Sequence, residues 1–256
     1  MAISPVLIDF DGVIKLGEKP APDASKFLKY LTEKKIPSYI ISNSTLRTGD
    51  EILSFLSGNN INIGVPAMTA VDATLHYVKE HYSKVSVFCI PSIKKIFKDF
   101  IDDKNPEAVV IGDIGDNWTY KLMNEIFRKV KGGAAIVAMH QNRYWYPGGG
   151  ELSLDAGAFI KAIEYGAERE SILIGKPSPL YFRTALSLLG FSADDEFFMI
   201  GDDLENDVLA AKQIGGRGVL IYTGKTSFPL ISNQNLKPDL EINSLTEMID
   251  ILEKVI

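Results

Sequence analysis

The stretch VLIDFDG at residues 6–12 places two carboxylates, Asp9 and Asp11, where a short apolar run meets a glycine. The apolar run at 6–8 predicts a fully buried strand, and side chains two residues apart along a strand point to the same side. Gly12 then allows a sharp turn. Because the carboxyl ends of the strands form the ligand crevice of an open parallel sheet, Asp9 and Asp11 are candidate catalytic residues. The alternative for this motif alone is an Asx-type turn after a strand.

The composition is that of an ordinary globular protein: 256 residues, 46% hydrophobic and 23% charged, with a formal net charge of −6. This acidic balance argues against nucleic acid as the main partner, because phosphate backbones are bound by clustered Lys and Arg. No apolar run reaches the length of about 18 residues that predicts a membrane-spanning helix, and no secretory leader is evident. The only cysteine, Cys89, lies in an apolar run and predicts a buried thiol without a disulfide. We therefore expect a soluble, cytoplasmic protein with no membrane partner.

Apolar runs alternate with helical patterns along most of the chain, which predicts an α/β fold with parallel sheets covered by helices. Strands are predicted at 6–9, 37–42, 85–90, 108–112, 134–139, 172–175, 197–201 and 219–222. Helices are predicted at 22–34, 45–57, 92–101, 118–130, 156–166, 179–189, 204–214 and 245–255. The acidic clusters fall near both ends of the sequence. We therefore expect a core built from residues 1–74 and 173–256, with an α/β subdomain of residues 75–172 inserted into it.

A second acidic strand end, GDDLEND, occupies residues 201–207. Asp202 directly follows a predicted buried strand, and Asp207 falls in the first turn of the next helix. Acids at a helix start also act as caps, and this alternative accounts well for Asp203. Two unit charges ~4 Å apart repel each other by ~4 kcal/mol at an effective dielectric constant of about 20. If Asp202 shares a crevice with Asp9, a hard divalent cation such as Mg²⁺ is expected to offset the repulsion.

Two further strand ends carry polar groups. Ser42 and Asn43 supply a hydroxyl and backbone amides before the helix predicted at residue 45, where helix N-termini bind anions. Taken alone, this stretch is better explained as a helix N-cap. The sequence GKP at 175–177 places Lys176 after a short strand, where a lone lysine would be a surface residue. The order of these elements along the chain is what favours a shared site.

This order of D-x-D-G, a Ser-Asn turn, G-K-P and G-D-D-x-x-x-D resembles the four motifs of the haloacid dehalogenase (HAD) superfamily of phosphohydrolases. The long insertion between the second and third motifs is similar to the p-nitrophenylphosphatase-like (NagD-type) branch, which has a large α/β cap. A finer resemblance points to the phospholysine, phosphohistidine and inorganic pyrophosphate phosphatase subgroup. It is carried by AVVIG at 108–112, His140 with Arg143 and Tyr144, LDAG at 154–157, and GKPSP at 175–179. The resemblance implies a Rossmann-like, doubly wound core with an inserted cap.

The family resemblance implies a reaction and a metal. Asp9 would attack phosphorus and form an aspartyl-phosphate, and Asp11 would act as the general acid and then the general base. Mg²⁺ would be held by Asp9, the main-chain carbonyl of Asp11, and Asp202. The acid at Asp11 favours phosphoryl transfer over carbon–halogen cleavage, because the dehalogenases of this superfamily lack it. The expected activity is hydrolysis of a small phosphorylated molecule.

The resemblance also implies roles for the remaining motif residues. Ser42 and the amide of Asn43 would bind phosphate oxygens, and Lys176 would supply positive charge in the transition state. Asp207, and with it Asp203, would lie behind the metal ligands and orient a metal-bound water or Lys176. A phosphomutase or phosphotransferase of the same superfamily, or a non-catalytic phosphate-binding module, are the alternatives. The presence of all the acids and of the lysine favours catalysis.

An aromatic segment of the predicted cap includes Asn142, Tyr144 and Tyr146. We hypothesise that this segment faces the leaving group and selects the substrate. The alternative is that its aromatic side chains only pack the cap against the core. Relatives with such caps often form homodimers through the cap, so a homodimer is expected here.

The tetrapeptide TGKT at 223–226 looks like the end of a nucleotide-binding P-loop. Five residues separate Gly218 from Gly224, whereas the P-loop motif requires four, and the following residues contain Pro229 rather than a helix. The sequence therefore argues against nucleotide binding by this segment.

Overall fold

Short buried strands alternate with helices in the computed structural model, which describes residues 4–145, 151–192, 194–230 and 237–255. The strands are β1 (Val6–Asp9), β2 (Lys15–Leu16), β3 (Lys19–Pro20), β4 (Ser38–Ser42), β5 (Ala67–Thr69), β6 (Val85–Phe88), β7 (Ala108–Ile111), β8 (Ala135–Ala138), β9 (Tyr144–Trp145), β10 (Ser153–Leu154), β11 (Ser171–Leu173), β12 (Phe198–Gly201), β13 (Arg217–Ile221) and β14 (Leu240–Ile242).

The helices pack against these strands. They are α1 (Ala24–Glu33), α2 (Gly49–Gly58), α3 (Ala70–His81), α4 (Pro91–Lys94), α5 (Tyr120–Lys131), α6 (Ala156–Ala167), α7 (Pro179–Leu188), α8 (Ala210–Lys212) and α9 (Leu245–Val255). Two 3-10 helices span Lys95–Phe100 and Gly115–Asn117, and a π-helical turn spans Leu204–Leu209. Within the described part of the chain, every helix is too short or too polar to cross a membrane.

One compact unit contains the described residues of Met1–Ser42, Gly49–Met68 and Lys176–Ile256. Its main sheet has the strand order β14-β13-β12-β1-β4-β5. Strand β1 runs parallel to both neighbours, so Ile8 lies opposite Ile40 of β4 and Ile200 of β12. The apolar side chains of β1 are fully buried, as expected for a central parallel strand that is covered on both faces. Strands β4 and β5 follow β1 on one side of the sheet, and β12, β13 and β14 lie on its other side. The strand order therefore reverses between β1 and β12, and ligands bind at such a reversal.

A second compact unit contains the described residues of Asn43–Thr48 and Thr69–Gly175. Its four-stranded parallel sheet has the order β11-β8-β7-β6, and β9 and β10 form a separate antiparallel pair. Helices α5 and α6 cover an apolar core that includes Ile111, Ile126 and Ile160. Apart from the segment Asn43–Thr48, the structure thus divides the chain at 68/69 and 175/176, whereas the sequence predicted boundaries at 74/75 and 172/173.

The predicted fold class, α/β with a doubly wound parallel sheet, is confirmed, but several elements differ from prediction. Helix α2 begins at Gly49 rather than at residue 45, because residues 43–48 form an irregular loop. The helix predicted at 204–214 opens with a π-turn, since the N–H groups of both Asp207 and Val208 donate to the carbonyl of Asp203. The β2–β3 hairpin, β5, α3, the β9–β10 pair and β14 were not predicted.

Helix α3 carries a start signal in its sequence. Thr69 and Asp72 form a capping box, in which the Asp72 carboxylate accepts the Thr69 N–H at 2.8 Å. The spacing T-x-x-D was therefore a signal for the start of this helix.

Candidate active site

Three carboxylates meet at the carboxyl edge of the six-stranded sheet. Asp9 ends β1, Asp202 directly follows β12, and Asp207 lies in the π-turn after it. One carboxylate oxygen from each residue lies within 4.8 Å of the others, and all three side chains are buried. They converge because β1 and β12 are parallel neighbours, whose carboxyl ends lie side by side. The sequence predicted that Asp9 and Asp202 share a crevice, and in the structure they lie close together with Asp207 beside them.

Lys176 provides the positive charge of this cluster. Its Nζ lies 2.6 Å from Asp9 Oδ1 and 2.6 Å from Asp207 Oδ1, and its side chain is buried. Burial by itself would lower the pKa of Lys176, but Asp207 and Asp9 outweigh burial and raise that pKa above its ordinary value. The ammonium group therefore stays charged and holds two of the three carboxylates.

One ammonium does not balance three buried carboxylates. Burial raises the pKa of Asp9 well above its ordinary value, and Asp207 and Asp202 add to the rise while Lys176 opposes it. Burial also raises the pKa of Asp202 and of Asp207. A cluster of buried carboxylate oxygens at close range is the donor set that a hard divalent cation prefers. The residues present therefore fit Mg²⁺.

Two glycines make room for these carboxylates. A Cβ at Gly12, where φ is +90°, would overlap with the carboxylate of Asp202. A Cβ at Gly201 would likewise overlap with the side chain of Asp207. The glycine of the D-x-D-G motif is thus required by close approach and by backbone conformation, and that of the G-D-D motif by close approach.

Asp11 stands outside the buried cluster. Its side chain is 49% exposed, its Oδ2 accepts a hydrogen bond from the Ser42 hydroxyl at 3.3 Å, and its Oδ1 lies 3.6 Å from the Nζ of Lys15. Lys15 begins the β2–β3 hairpin that follows the D-x-D-G turn. Asp11 is therefore placed next to the predicted phosphate-binding hydroxyl and remains accessible to solvent.

Ser42 is fixed by a residue that the sequence did not reveal. The Ser42 N–H donates to the hydroxyl of Tyr181 at 3.1 Å, and this hydroxyl lies 2.6 Å from the Ser42 carbonyl oxygen and 3.1 Å from that of Met68. Tyr181 is fully buried in α7, five residues after Lys176. The prediction that Ser42 and Asn43 lie at a helix N-terminus is wrong, because α2 begins only at Gly49. No pattern in the neighbouring sequence indicated this contact, because Ser42 and Tyr181 are 139 positions apart in the chain.

Asn43 begins the loop 43–48, which belongs to the second compact unit. Its side-chain oxygen occupies the space that a Cβ at Gly175 would need. The glycine of the G-K-P motif is therefore required by the close approach of the Asn43 side chain.

Asp203 acts as a helix cap. Its Oδ1 accepts the N–H groups of Glu205 and Asn206, each at 3.1 Å, and its Oδ2 lies 2.5 Å from the Nζ of Lys225. Burial would raise the pKa of Asp203, but the hydrogen bonds from Lys225 and Asn206 outweigh burial and lower it. These contacts match the capping alternative that the sequence left open.

The segment 223–226 also lies at this site. The Lys225 N–H donates to Asp202 Oδ2 at 2.6 Å, and the Thr223 hydroxyl donates to the Gly12 carbonyl at 2.6 Å. The sequence argued against a P-loop here, and it did not connect the segment to Asp202.

The predicted substrate-selecting residues lie in the second unit. Tyr144 is 53% exposed in β9, and Asn142 is also exposed. Tyr146 lies outside the described residues. The Asn142 N–H donates to Nδ1 of the buried His140, whose pKa burial lowers while Asp155 opposes the change. The role of the aromatic segment in substrate selection stays a prediction.

Cys89 lies just beyond the end of β6 and is buried. Burial raises the pKa of its thiol to about 12. The prediction of a buried thiol is confirmed.

Two protein-family models match this chain. One, described as haloacid dehalogenase-like hydrolase, matches residues 6–100, and another, described as HAD-hydrolase-like, matches residues 173–248. These two stretches contribute all the residues of the buried charge cluster.

Individual proteins match over nearly the whole chain. A bovine (Bos taurus) protein named haloacid dehalogenase-like hydrolase domain-containing protein 2 is 29% identical, over 97% of this chain and 95% of its own length. The phospholysine phosphohistidine inorganic pyrophosphate phosphatase of Rattus norvegicus is 29% identical, over 96% of this chain and 93% of its own. The solved structure of a p-nitrophenyl phosphatase from Archaeoglobus fulgidus superposes with a TM-score of 0.87 at 28% identity, covering 97% of this chain and 98% of that one.

Proposed function

We propose that this chain is a phosphatase of the haloacid dehalogenase-like hydrolases, and that it hydrolyses a small phosphorylated substrate through a phosphorylated Asp9, with Mg²⁺ as cofactor. The observation that supports the mechanism most strongly is the buried cluster of Asp9, Asp202 and Asp207 beside Lys176. A buried carboxylate held by a lysine in a parallel-sheet crevice is an oriented nucleophile.

The first step forms a covalent intermediate on Asp9. A carboxylate oxygen of Asp9 attacks phosphorus, the bond from phosphorus to the leaving oxygen breaks, and Asp11 gives its proton to that oxygen. In the second step Asp11 takes a proton from a water molecule, and the resulting hydroxide attacks phosphorus and releases Asp9. The exposure of Asp11 suits this exchange, because its partners are the leaving group and solvent water.

The remaining residues bind the phosphate and balance charge. Ser42 and the amide of Asn43 bind phosphate oxygens, and Lys176 stabilises negative charge as phosphorus becomes five-coordinate. Asp9 and Asp202, with the main-chain carbonyl of Asp11, would hold Mg²⁺. When bound, the cation offsets the charge of the carboxylates and of the substrate phosphate.

Hydrolysis of p-nitrophenyl phosphate tests this function. Wild-type protein should release p-nitrophenol with Mg²⁺ present, and EDTA should stop the reaction. Asp9→Asn should lower the rate by at least about a thousandfold, because the amide is not a nucleophile. Equal rates in all three conditions would contradict the mechanism. Phosphate recovered on an added alcohol or sugar instead of in water would point to a phosphotransferase.

We propose that the second unit selects the substrate. Its β9–β10 ribbon exposes Tyr144 and Trp145 at 53% and 51%, and exposed aromatic side chains commonly contact ligands or partners. Tyr144→Ala should alter the order of preference within a panel of phosphate esters, phosphoamino acids and pyrophosphate. Tyr165→Ala, at an 89% exposed position of α6, is the matched control. An unchanged order of preference in the Tyr144 variant would argue for a packing role of the aromatic segment.

A further inference from the structure

The segment 223–226 follows β13 and contacts the turns that carry the active-site carboxylates. We propose that this segment positions Asp202 for the divalent cation, so that Gly224 and the backbone of Lys225 are positioning groups of the cation site. The inference rests on the proposed function, because it concerns the same cation. It assigns a role to residues that resemble a nucleotide-binding motif but lack its spacing.

The backbone of the segment donates hydrogen bonds to both the side chain and the main chain of Asp202. The Lys225 N–H donates to Asp202 Oδ2 at 2.6 Å, and the Thr226 N–H donates to the main-chain carbonyl of Asp202 at 3.1 Å. A hydrogen bond to a carboxylate fixes the rotation of its side chain and favours its ionised form. Asp202 therefore presents an oriented carboxylate toward Asp9.

Gly224 allows this backbone to come close enough. A Cβ at Gly224 would overlap with the Asp202 carboxylate and would lie 2.9 Å from the Cα of Gly12. The φ angle of Gly224 lies outside the left-handed region, so backbone conformation does not require a glycine there. The absence of a side chain is required by the carboxylate itself.

The segment joins the two carboxylate-bearing turns. The Thr223 hydroxyl donates to the carbonyl of Gly12, the last residue of the D-x-D-G motif, at 2.6 Å. At the other end, the Lys225 Nζ lies 2.5 Å from Asp203 Oδ2. The Lys225 side chain is 68% exposed, so its ion pair contributes little compared with its partly buried backbone hydrogen bond to Asp202. The positioning role therefore belongs mainly to the backbone of residues 224 and 225.

Mn²⁺ binding to the intact protein, measured by the electron paramagnetic resonance signal of free Mn²⁺, tests this inference without using activity. Gly224→Ala should weaken Mn²⁺ binding by about tenfold, as loss of a group that orients a metal ligand commonly does. It should raise the Mg²⁺ concentration needed for half-maximal p-nitrophenyl phosphate hydrolysis by the same factor. Lys225→Ala keeps the backbone N–H and should change both values by less than about threefold.

The matched control is Gly58→Ala, because a Cβ at Gly58 would meet open space at the exposed end of α2. It should leave Mn²⁺ binding unchanged. Thr223→Val, which removes only the hydroxyl, should weaken Mn²⁺ binding by about threefold and provides the test if Gly224→Ala does not fold. If Thr223→Val and folded Gly224→Ala both bind Mn²⁺ with wild-type affinity, the positioning role is wrong and the proposed function is unaffected. A wild-type protein that binds no Mn²⁺ would overturn the proposed cofactor as well.

Discussion

The tripeptide Ile-Gly-Asp ends a buried strand twice in this chain, at 111–113 in the four-stranded sheet and at 200–202 in the six-stranded sheet. The half-buried Asp113 accepts the N–H of Gly115 at 2.7 Å and closes a local turn. Asp202 is buried, and its oxygen lies close to those of Asp9 and Asp207. The same local sequence thus forms a turn in one unit and part of a charge cluster in the other.

The neighbouring strands explain the difference. A Cβ at Gly112 would meet the side chains of Met139 and Cys89, whereas a Cβ at Gly201 would meet Asp207. The strand beside Asp202 ends in Asp9, at the point where the strand order reverses. A short motif therefore acquires its chemistry from the residues that the sheet brings beside it.

The largest expected effect separates the two aspartates directly. Asp202→Asn should lower kcat/KM for p-nitrophenyl phosphate by about a thousandfold, because the cation loses a charged ligand. Asp113→Asn should stay within about twofold of wild type, since its side chain closes a turn in the other unit. Similar losses of kcat/KM in both variants would contradict this difference between Asp202 and Asp113, and would show that both strand ends contribute to the reaction.

Loss of the central lysine should have the next largest effect. In EDTA, Lys176→Met should lower the free energy of unfolding by about 3 kcal/mol, because Asp9 and Asp207 lose a buried partner. The control is Lys29→Met, which removes an exposed ion pair with Glu33 and should cost less than about 1 kcal/mol. Urea unfolding measures both values. Equal costs would mean that the active-site charges are not coupled.

The stability of the six-stranded unit should depend on pH and metal. The folded-state pKa values of Asp9, Asp202 and Asp207 lie above the ordinary value of 3.8. Their contribution to stability is therefore complete below that value and is lost as the pH rises through the raised folded-state pKa values. Mg²⁺ binds the ionised carboxylates, so the increase in Tm caused by Mg²⁺ should grow with pH.

Melting curves in EDTA and in Mg²⁺, from about pH 4 to about pH 8, measure this difference. Asp202→Asn should flatten the dependence, and Asp113→Asn should preserve it. An increase in Tm that stays constant or shrinks as the pH rises would contradict the assigned cluster.

The smallest effect concerns Tyr181. Tyr181→Phe removes the hydroxyl that contacts the Ser42 backbone, and should cost about 1 to 3 kcal/mol of stability and raise KM. Ser38→Ala is the control, because it removes a buried hydrogen bond to Ile36 at the other end of β4. It should lower stability without changing KM. An unchanged KM in both variants would limit Tyr181 to a structural role.

The sequence was most informative where a buried strand ends in an acid. Continuous apolar runs identified β1, β4 and β12, because central parallel strands have no polar face. The positions of Asp9 and Asp202 followed, since the carboxyl ends of neighbouring parallel strands lie together. The family motifs then led to Lys176, which a single short strand would not have distinguished from a surface lysine.

The residues that were not predicted act through contacts between distant parts of the chain. Gly224 is required by Asp202, and the Tyr181 hydroxyl by Ser42, so neither has a local signal. The start of α2 was misplaced because the loop 43–48 has no helical geometry despite its polar cap-like residues. The β2–β3 hairpin has two-residue strands, which are too short for an alternating pattern to be detected.

Phosphorylation of Asp9 is the most direct test of the whole account. Protein mixed with p-nitrophenyl phosphate and Mg²⁺ should be quenched rapidly in acid, digested and analysed by mass spectrometry. We predict a phosphoryl group on the peptide that contains Asp9, absent from Asp9→Asn and from protein kept in EDTA. A phosphoryl group on a different residue, or normal turnover by Asp9→Asn, would contradict it.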